Sequence, residues 1–163
     1  MKKFILSLAV CLLMAVGAKA QDWSLGARLG SGFQAQAEYT LTDNTYLEGR
    51  FGMNWASRGA SLNADFTALH NWNVCTMDWT PSAGQWFFDA GCGIAVGGAA
   101  HYAYVGAAGC AKLGIKFNSA PVKLSLDWTP VIGPGIGYGG GHSSAGFNQW
   151  GLANLGISAV YCF

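Results

Sequence analysis

The sequence predicts an all-β protein, a single eight-stranded antiparallel transmembrane β-barrel with an apolar outer face. Three observations predict this fold class. The chain has 163 residues and 24 glycines, and only 10% of its residues are charged, whereas a soluble domain has about 25%. Apolar and polar residues alternate with a period of two along most of the chain, which indicates strands rather than helices. The charged residues fall on one phase of that alternation.

The first 20 residues have the features of a cleavable signal peptide. Two lysines precede an uncharged apolar run at residues 4–16, and residues 18–20 supply the small side chains that a signal peptidase recognises. Cys11 suggests a lipoprotein signal as an alternative. Val10 disfavours it, because that signal requires a small residue directly before the cysteine. We predict cleavage after Ala20 and a barrel domain over residues 21–163, with a retained anchor as the alternative.

Turn-forming residues separate the first four predicted strands. Residues 23–29 and 33–41 alternate apolar with polar side chains. Thr-Asp-Asn at 42–44 is a turn signal, and the alternation resumes over 47–55. Ser-Arg-Gly at 57–59 precedes the fourth strand, at 62–68.

The second half of the chain supplies four more strands, at 86–96, 105–117, 122–128 and 155–163. Residues 90–111 carry no charge, and this stretch is long enough for a transmembrane helix. It contains six glycines, each of which costs about 1 kcal/mol in a helix, so we predict two strands with a turn near Gly97 and Gly98. The turn at 118–121 is tight, whereas 130–149 is a long glycine-rich connection. We therefore expect short turns at the periplasmic end and longer loops at the outer end.

The placement of charge indicates which face is inside. Of the 14 charged residues after position 20, ten lie on the polar phase of a strand, five of each sign. A confined interior requires this balance, because buried charges persist only when they are paired. A lipid-facing Lys or Arg at mid-bilayer costs about 2–4 kcal/mol, which disfavours the alternative of an apolar interior. The predicted lumen charge network comprises Arg28, Glu38, Glu48, Arg50, Asp65, Asp89, Lys112, Lys116, Lys123 and Asp127.

Several functional classes are disfavoured by the residues present. Residues 21–163 hold six basic and eight acidic side chains without a basic patch, so nucleic acid is not an expected partner. The three histidines are scattered, and neither a metal site nor a cofactor is expected. Four cysteines lie beyond residue 20. We expect them to be free, because their strand phases place Cys92 outside and Cys75, Cys110 and Cys162 inside, with no suitable pair close together.

The last strand ends on Tyr161 and Phe163, and its pattern resembles the C-terminal signal of bacterial outer-membrane barrels. Together with residues 113–130, it resembles small porin-like outer-membrane β-barrel proteins of Gram-negative bacteria. The resemblance implies a monomer in the cell outer membrane. Its implied partners are lipid, lipopolysaccharide and, during biogenesis, the barrel-assembly machinery. The function predicted is a non-enzymatic structural or surface-interaction role, with a narrow porin for small solutes as an alternative.

A second alternative rests on residues 142–146. This segment resembles the His-x-Ser segment of outer-membrane lipid A deacylases, which are also eight-stranded barrels. The resemblance implies His142 as the general base and Ser144 as the nucleophile. The Glu that completes that triad has no counterpart, because no acidic residue follows Asp127. A lipid A-modifying hydrolase therefore stays an alternative to the non-enzymatic role.

Overall fold

A computed structural model describes residues 22–54, 63–99, 101–139, 142–148 and 150–163. The predicted signal peptide lies outside the described residues, so cleavage after Ala20 stays a prediction. The described part of the chain is almost entirely β-structure. No helix in this part has the length and hydropathy that a membrane span requires.

The described strands form one continuous antiparallel sheet. They are β1 (Trp23–Leu29), β2 (Gly32–Thr42), β3 (Thr45–Asn54), β4 (Asn63–Met77), β5 (Gly84–Ala99), β6 (Tyr102–Phe117), β7 (Val122–Trp128), β8 (Val131–Gly139), β9 (His142–Asn148) and β10 (Leu155–Cys162). A short 3-10 helix, Trp150–Ala153, precedes β10.

The sheet closes on itself as a barrel. Its order is β5-β4-β3-β2-β1-β10-β7-β6, and β6 pairs back onto β5. Strand β8 continues β7, because Trp128 pairs with Ala111 and Val131 pairs with Ala108 in one unbroken register along β6. Strand β9 pairs with β8, so the ten segments occupy eight wall positions. The prediction of a closed eight-stranded antiparallel barrel is confirmed.

One prediction about the connections was wrong. Residues 130–149 do not form one long loop, because β8 and β9 form a hairpin that extends the wall. Glycine-rich segments are typical of loops, but the backbones of Gly133, Gly135 and Gly137 pair with neighbouring strands. We call the end that holds the start of β1 the terminal end, and the opposite end the distal end. Residues 55–62, which connect β3 to β4 at the distal end, lie outside the described residues, so the expectation of longer outer loops stays a prediction.

The predicted face of one cysteine was also wrong. Strand β4 continues to Met77, and its register against β5 shifts between Asn73 and Cys75. The shift is a bulge, which puts two residues opposite one and reverses the side-chain phase beyond it. Cys75 consequently pairs with Phe88 and is exposed, rather than pointing inward. All four cysteines in the described chain are free, as expected.

The barrel buries polar side chains in its interior and exposes apolar side chains on its outer surface. Sixteen polar or charged side chains are buried among the described residues, against seven hydrophobic ones. The outer surface instead exposes large apolar side chains all round the barrel, including Phe51 and Ile157, each 63% exposed. A soluble protein has the opposite distribution, so this barrel keeps its polar groups in the lumen and its apolar groups on the outer wall.

The wall is of uneven height. Strand β1 has seven residues, whereas β5 and β6 each have 16. At a rise of about 3.3 Å per residue and a tilt of about 40°, seven residues give roughly 18 Å of height. We call the part of the wall formed by β1 and its turn at 30–31 the low side.

Some inward positions of the wall leave no room for a side chain. At Gly93, a Cβ atom would collide with the backbone carbonyl oxygen of Ala68 on β4. Gly49 lies on the outer face of β3, between the inward-pointing Glu48 and Arg50, and a Cβ atom there would meet nothing within 4 Å. The same added methyl group is therefore tolerated at Gly49 and not at Gly93.

We expect Gly93→Ala to lower the free energy of unfolding by about 1–3 kcal/mol, because overpacking displaces the β4–β5 ladder. Gly49→Ala, the control, should leave it unchanged or slightly raised. Urea titrations of the refolded barrel in detergent micelles measure both variants. An equal loss at the two positions would contradict the role assigned to Gly93.

Candidate functional site in the lumen

Asp127 on β7 joins two arginines in the centre of the lumen. Arg28 Nε on β1 lies 2.8 Å from Asp127 Oδ1, and Arg50 Nη1 on β3 lies 3.2 Å from the same oxygen. The carboxylate also accepts hydrogen bonds from the hydroxyls of Thr129 and Ser158, each at 3.0 Å. Charge and hydrogen bonding thus compensate the buried carboxylate, as a low-dielectric interior requires.

Glu48 on β3 extends the chain of ion pairs. It accepts a hydrogen bond from Arg50 Nε, and its other carboxylate oxygen lies 2.7 Å from Lys112 Nζ. The side chain of Asn71 donates to that second oxygen, also at 2.7 Å. Glu48 is fully enclosed, because its side chain has no exposed surface. The ion pairs therefore continue from β3 to Lys112 on β6.

Glu38 on β2 ends the chain toward the terminal end of the barrel. Lys112 Nζ lies 3.3 Å from Glu38 Oε1, and Lys123 Nζ contacts Glu38 Oε2. Both ammonium groups also lie over the ring of Tyr46, at 5.3 and 5.2 Å from its centroid. Cation–π contact adds to the stabilisation of the two lysines.

Asp89 joins this group without an ion pair. It accepts hydrogen bonds from the Tyr46 hydroxyl and the Asn73 amide, each at 2.8 Å. With Asp89, four cations and four anions balance in one connected cluster. We call this cluster the central plug; its members are Arg28, Glu38, Glu48, Arg50, Asp89, Lys112, Lys123 and Asp127.

Two residues of the predicted network lie outside the central plug. Lys116 is exposed at the terminal end, where it pairs in register with Gln85 and Lys123 and makes no ion pair with a described residue. Asp65 is buried and makes no ion pair with a described residue, but Gln34 links it to the plug: the Gln34 amide nitrogen donates to Asp65, and the Gln34 amide oxygen accepts from Arg28 Nη1 at 3.2 Å. Strand phase predicts the face on which a side chain lies and not its depth along the barrel. The ten predicted residues therefore share a face, but Lys116 joins no ion pair with a described residue and Asp65 is linked to the plug only through Gln34.

The distal part of the lumen contains an apolar cluster that was not predicted from the sequence. Its buried members are Leu69, Ala95, Ala108, Cys110 and Val131, with Tyr104 packed against them. These residues occupy the phase that carries charge elsewhere, and the predicted fourth strand stopped one residue before Leu69. Small apolar residues on the inward phase of strands β5 and β6 were the available signal.

The arrangement blocks the lumen. Several side chains of the plug, including Arg28, Arg50 and Lys112, are each 1% exposed. An eight-stranded barrel has an interior just wide enough for side chains to fill.

No group of three His, Cys, Asp or Glu side chains in the described ranges is arranged to hold a metal ion.

The remaining predicted site residues lie on the last two strands. Ser144 and His142 are on β9, where their backbones pair with Gly137 and Gly139 respectively. Only the backbones of these two residues are described. On β10, the rings of Tyr161 and Phe163 are 5.1 Å apart and both are exposed. The Phe163 amide donates to the Trp23 carbonyl at 3.2 Å, so the C-terminal residue contacts the strand that closes the barrel.

We expect each of Glu48→Gln and Arg50→Met to lower the free energy of unfolding by about 3–5 kcal/mol, because each leaves buried charge uncompensated. The double variant should lose less than the sum of the two single losses. Urea unfolding of the barrel in lipid vesicles measures the cycle. Lys116→Gln, the exposed control, should change the value by less than about 0.5 kcal/mol. Additive losses for the pair would show that the two groups do not interact.

Comparison with known proteins supports the fold. No protein-family model matches the chain, and no curated protein matches its sequence. Among solved structures, the chain is similar to the N-terminal β-barrel domain of Pseudomonas aeruginosa OprF, with a TM-score of 0.52 and 13% sequence identity. The match covers 86% of this chain and 95% of that one. At this identity the likeness is one of fold, and the chain has the closed eight-stranded fold of an outer-membrane β-barrel.

Proposed function

We propose that this protein is an outer-membrane β-barrel with a non-enzymatic structural or surface-interaction role, whose lumen is closed to solutes. The observation that carries the proposal is the central plug, in which ion pairs run without a break from Arg28 to Lys123. A solute crossing the barrel has to separate buried ion pairs, each of which costs several kcal/mol to break.

The outer wall supports location in a bilayer. Exposed apolar side chains surround the barrel, and β1 to β7 with β10 pair round a closed ring, which satisfies the backbone where no water is present. In the proposed orientation the terminal end faces the periplasm and the distal end faces the exterior. Lipid and lipopolysaccharide then contact the wall of a monomer, and the barrel-assembly machinery recognises the strand that ends on Tyr161 and Phe163.

Planar-bilayer recording tests the closed lumen. We expect the wild-type barrel to give no stable conductance steps, because the plug leaves no continuous water path. Arg50→Ala should introduce small steps, since it removes the side chain that bridges Glu48 and Asp127. Lys116→Ala is the matched control and should give no conductance steps. Stable steps in the wild type would favour the narrow-porin alternative over the proposal.

Lipid A from cells with and without the protein tests the non-enzymatic role. We expect identical mass spectra, because no carboxylate follows Asp127 to complete a triad with His142 and Ser144. A loss of acyl chains that disappears in Ser144→Ala would instead identify a hydrolase and overturn the proposal.

A further inference from the structure

Asp65 is a buried carboxylate in the lumen that makes no ion pair with a described residue and, unlike Asp89, has one oxygen without a hydrogen bond. Asp65 on β4 is 6% exposed, and its Oδ2 atom accepts a hydrogen bond from Gln34 Nε2 at 2.9 Å. Its Oδ1 atom is buried without any hydrogen-bond partner, and none of the ion pairs among the described residues includes Asp65. Buried charges are normally paired and hydrogen-bonded. Asp65 therefore presents one unsatisfied, negatively charged acceptor.

The side chains around Asp65 are positioned by glycines. In the strand register, Gly52 and Gly97 flank Asp65 on either side. The Gln34 side chain lies over Gly52, where a Cβ atom would come within 2.8 Å of its Cγ. The Tyr104 ring lies over Gly97, where a Cβ atom would come within 2.6 Å of it. The carboxylate therefore has an amide on one side and an aromatic ring on the other.

We propose that the distal end of the lumen binds a primary ammonium group, with Asp65 as its anchor and the Tyr104 ring beside it. An ammonium group supplies both the missing charge and the missing N–H donor at Oδ1. An aromatic ring next to a carboxylate adds cation–π attraction for the same group. The apolar wall formed by Ala95, Ala108 and Val131 suits a short alkyl chain attached to the amine.

A divalent metal ion fits these surroundings less well. Calcium takes six to eight oxygen ligands, whereas Asp65 belongs to no group of three His, Cys, Asp or Glu side chains among the described residues. Asp65 is two residues from the distal start of β4, so a ligand would reach it from the distal end. The central plug closes the lumen on the other side.

Titration with n-propylammonium chloride tests the site in the refolded full barrel domain in detergent micelles. Amide NMR shifts of Gly52 and Gly97 report binding, with potassium chloride at equal ionic strength as the reference. We expect saturable shifts at these glycines. Tetramethylammonium carries the same charge but no N–H group, and it should bind at least about fivefold more weakly.

Asp65→Asn keeps the shape and the acceptor for Gln34, and it should weaken n-propylammonium binding by about tenfold or more. Asp43→Asn makes the same charge change in an exposed turn and should leave binding unaltered. Tyr104→Leu should weaken binding by about two- to fivefold, whereas Tyr104→Phe should retain it. The proposal is overturned if n-propylammonium causes no saturable shift, or if Asp65→Asn and Asp43→Asn bind it equally. Conductance recordings are independent of these outcomes, so failure here leaves the closed-lumen proposal standing.

Discussion

The structure depends on the compensation of charge inside a narrow barrel. Glu48 and Asp127 hold Arg50 between them, and through Arg28 and Lys112 they connect strands on opposite sides of the ring. Once these groups are out of water, removing one partner leaves the others uncompensated. A wall that is apolar outside places its polar side chains inside, so this cluster has the position that a hydrophobic core has in a soluble domain.

The ion pairs also specify the register of the barrel. A slip of one residue in any strand would turn its inward side chains to the outer face. On β3 such a slip would move both Glu48 and Arg50 outward and leave Asp127 and Lys112 without partners. Apolar contacts on the outer wall discriminate weakly between registers, because lipid tails accept many apolar side chains equally. The buried charges supply the discrimination that the outer wall lacks.

Much of the fold was predictable from the alternation of side chains, because that alternation is the physical requirement of a two-faced strand. It predicted the eight wall positions and the inward face of Arg28, Glu48 and Asp127. It missed the bulge before Cys75, since no residue type marks the insertion of one residue. It also missed the hairpin formed by β8 and β9, because glycines on the inward phase carry no side chain to reveal a period. The lack of an ion pair at Asp65 depends on depth along the axis, which only the register between strands determines.

The low side has a consequence for the surrounding bilayer. The apolar band of an outer-membrane barrel is about 25 Å tall, whereas β1 supplies roughly 18 Å of wall before the chain turns at Gly30 and Ser31. Lipids beside this hairpin have to compress their acyl chains, or the barrel has to lean toward them, at a cost of fractions of a kcal/mol per ångström of mismatch. On the opposite side, the 16-residue strands β5 and β6 impose no such strain. In the proposed bilayer location the low side would therefore favour thinner membrane, and lipid packing would be weakest next to one hairpin.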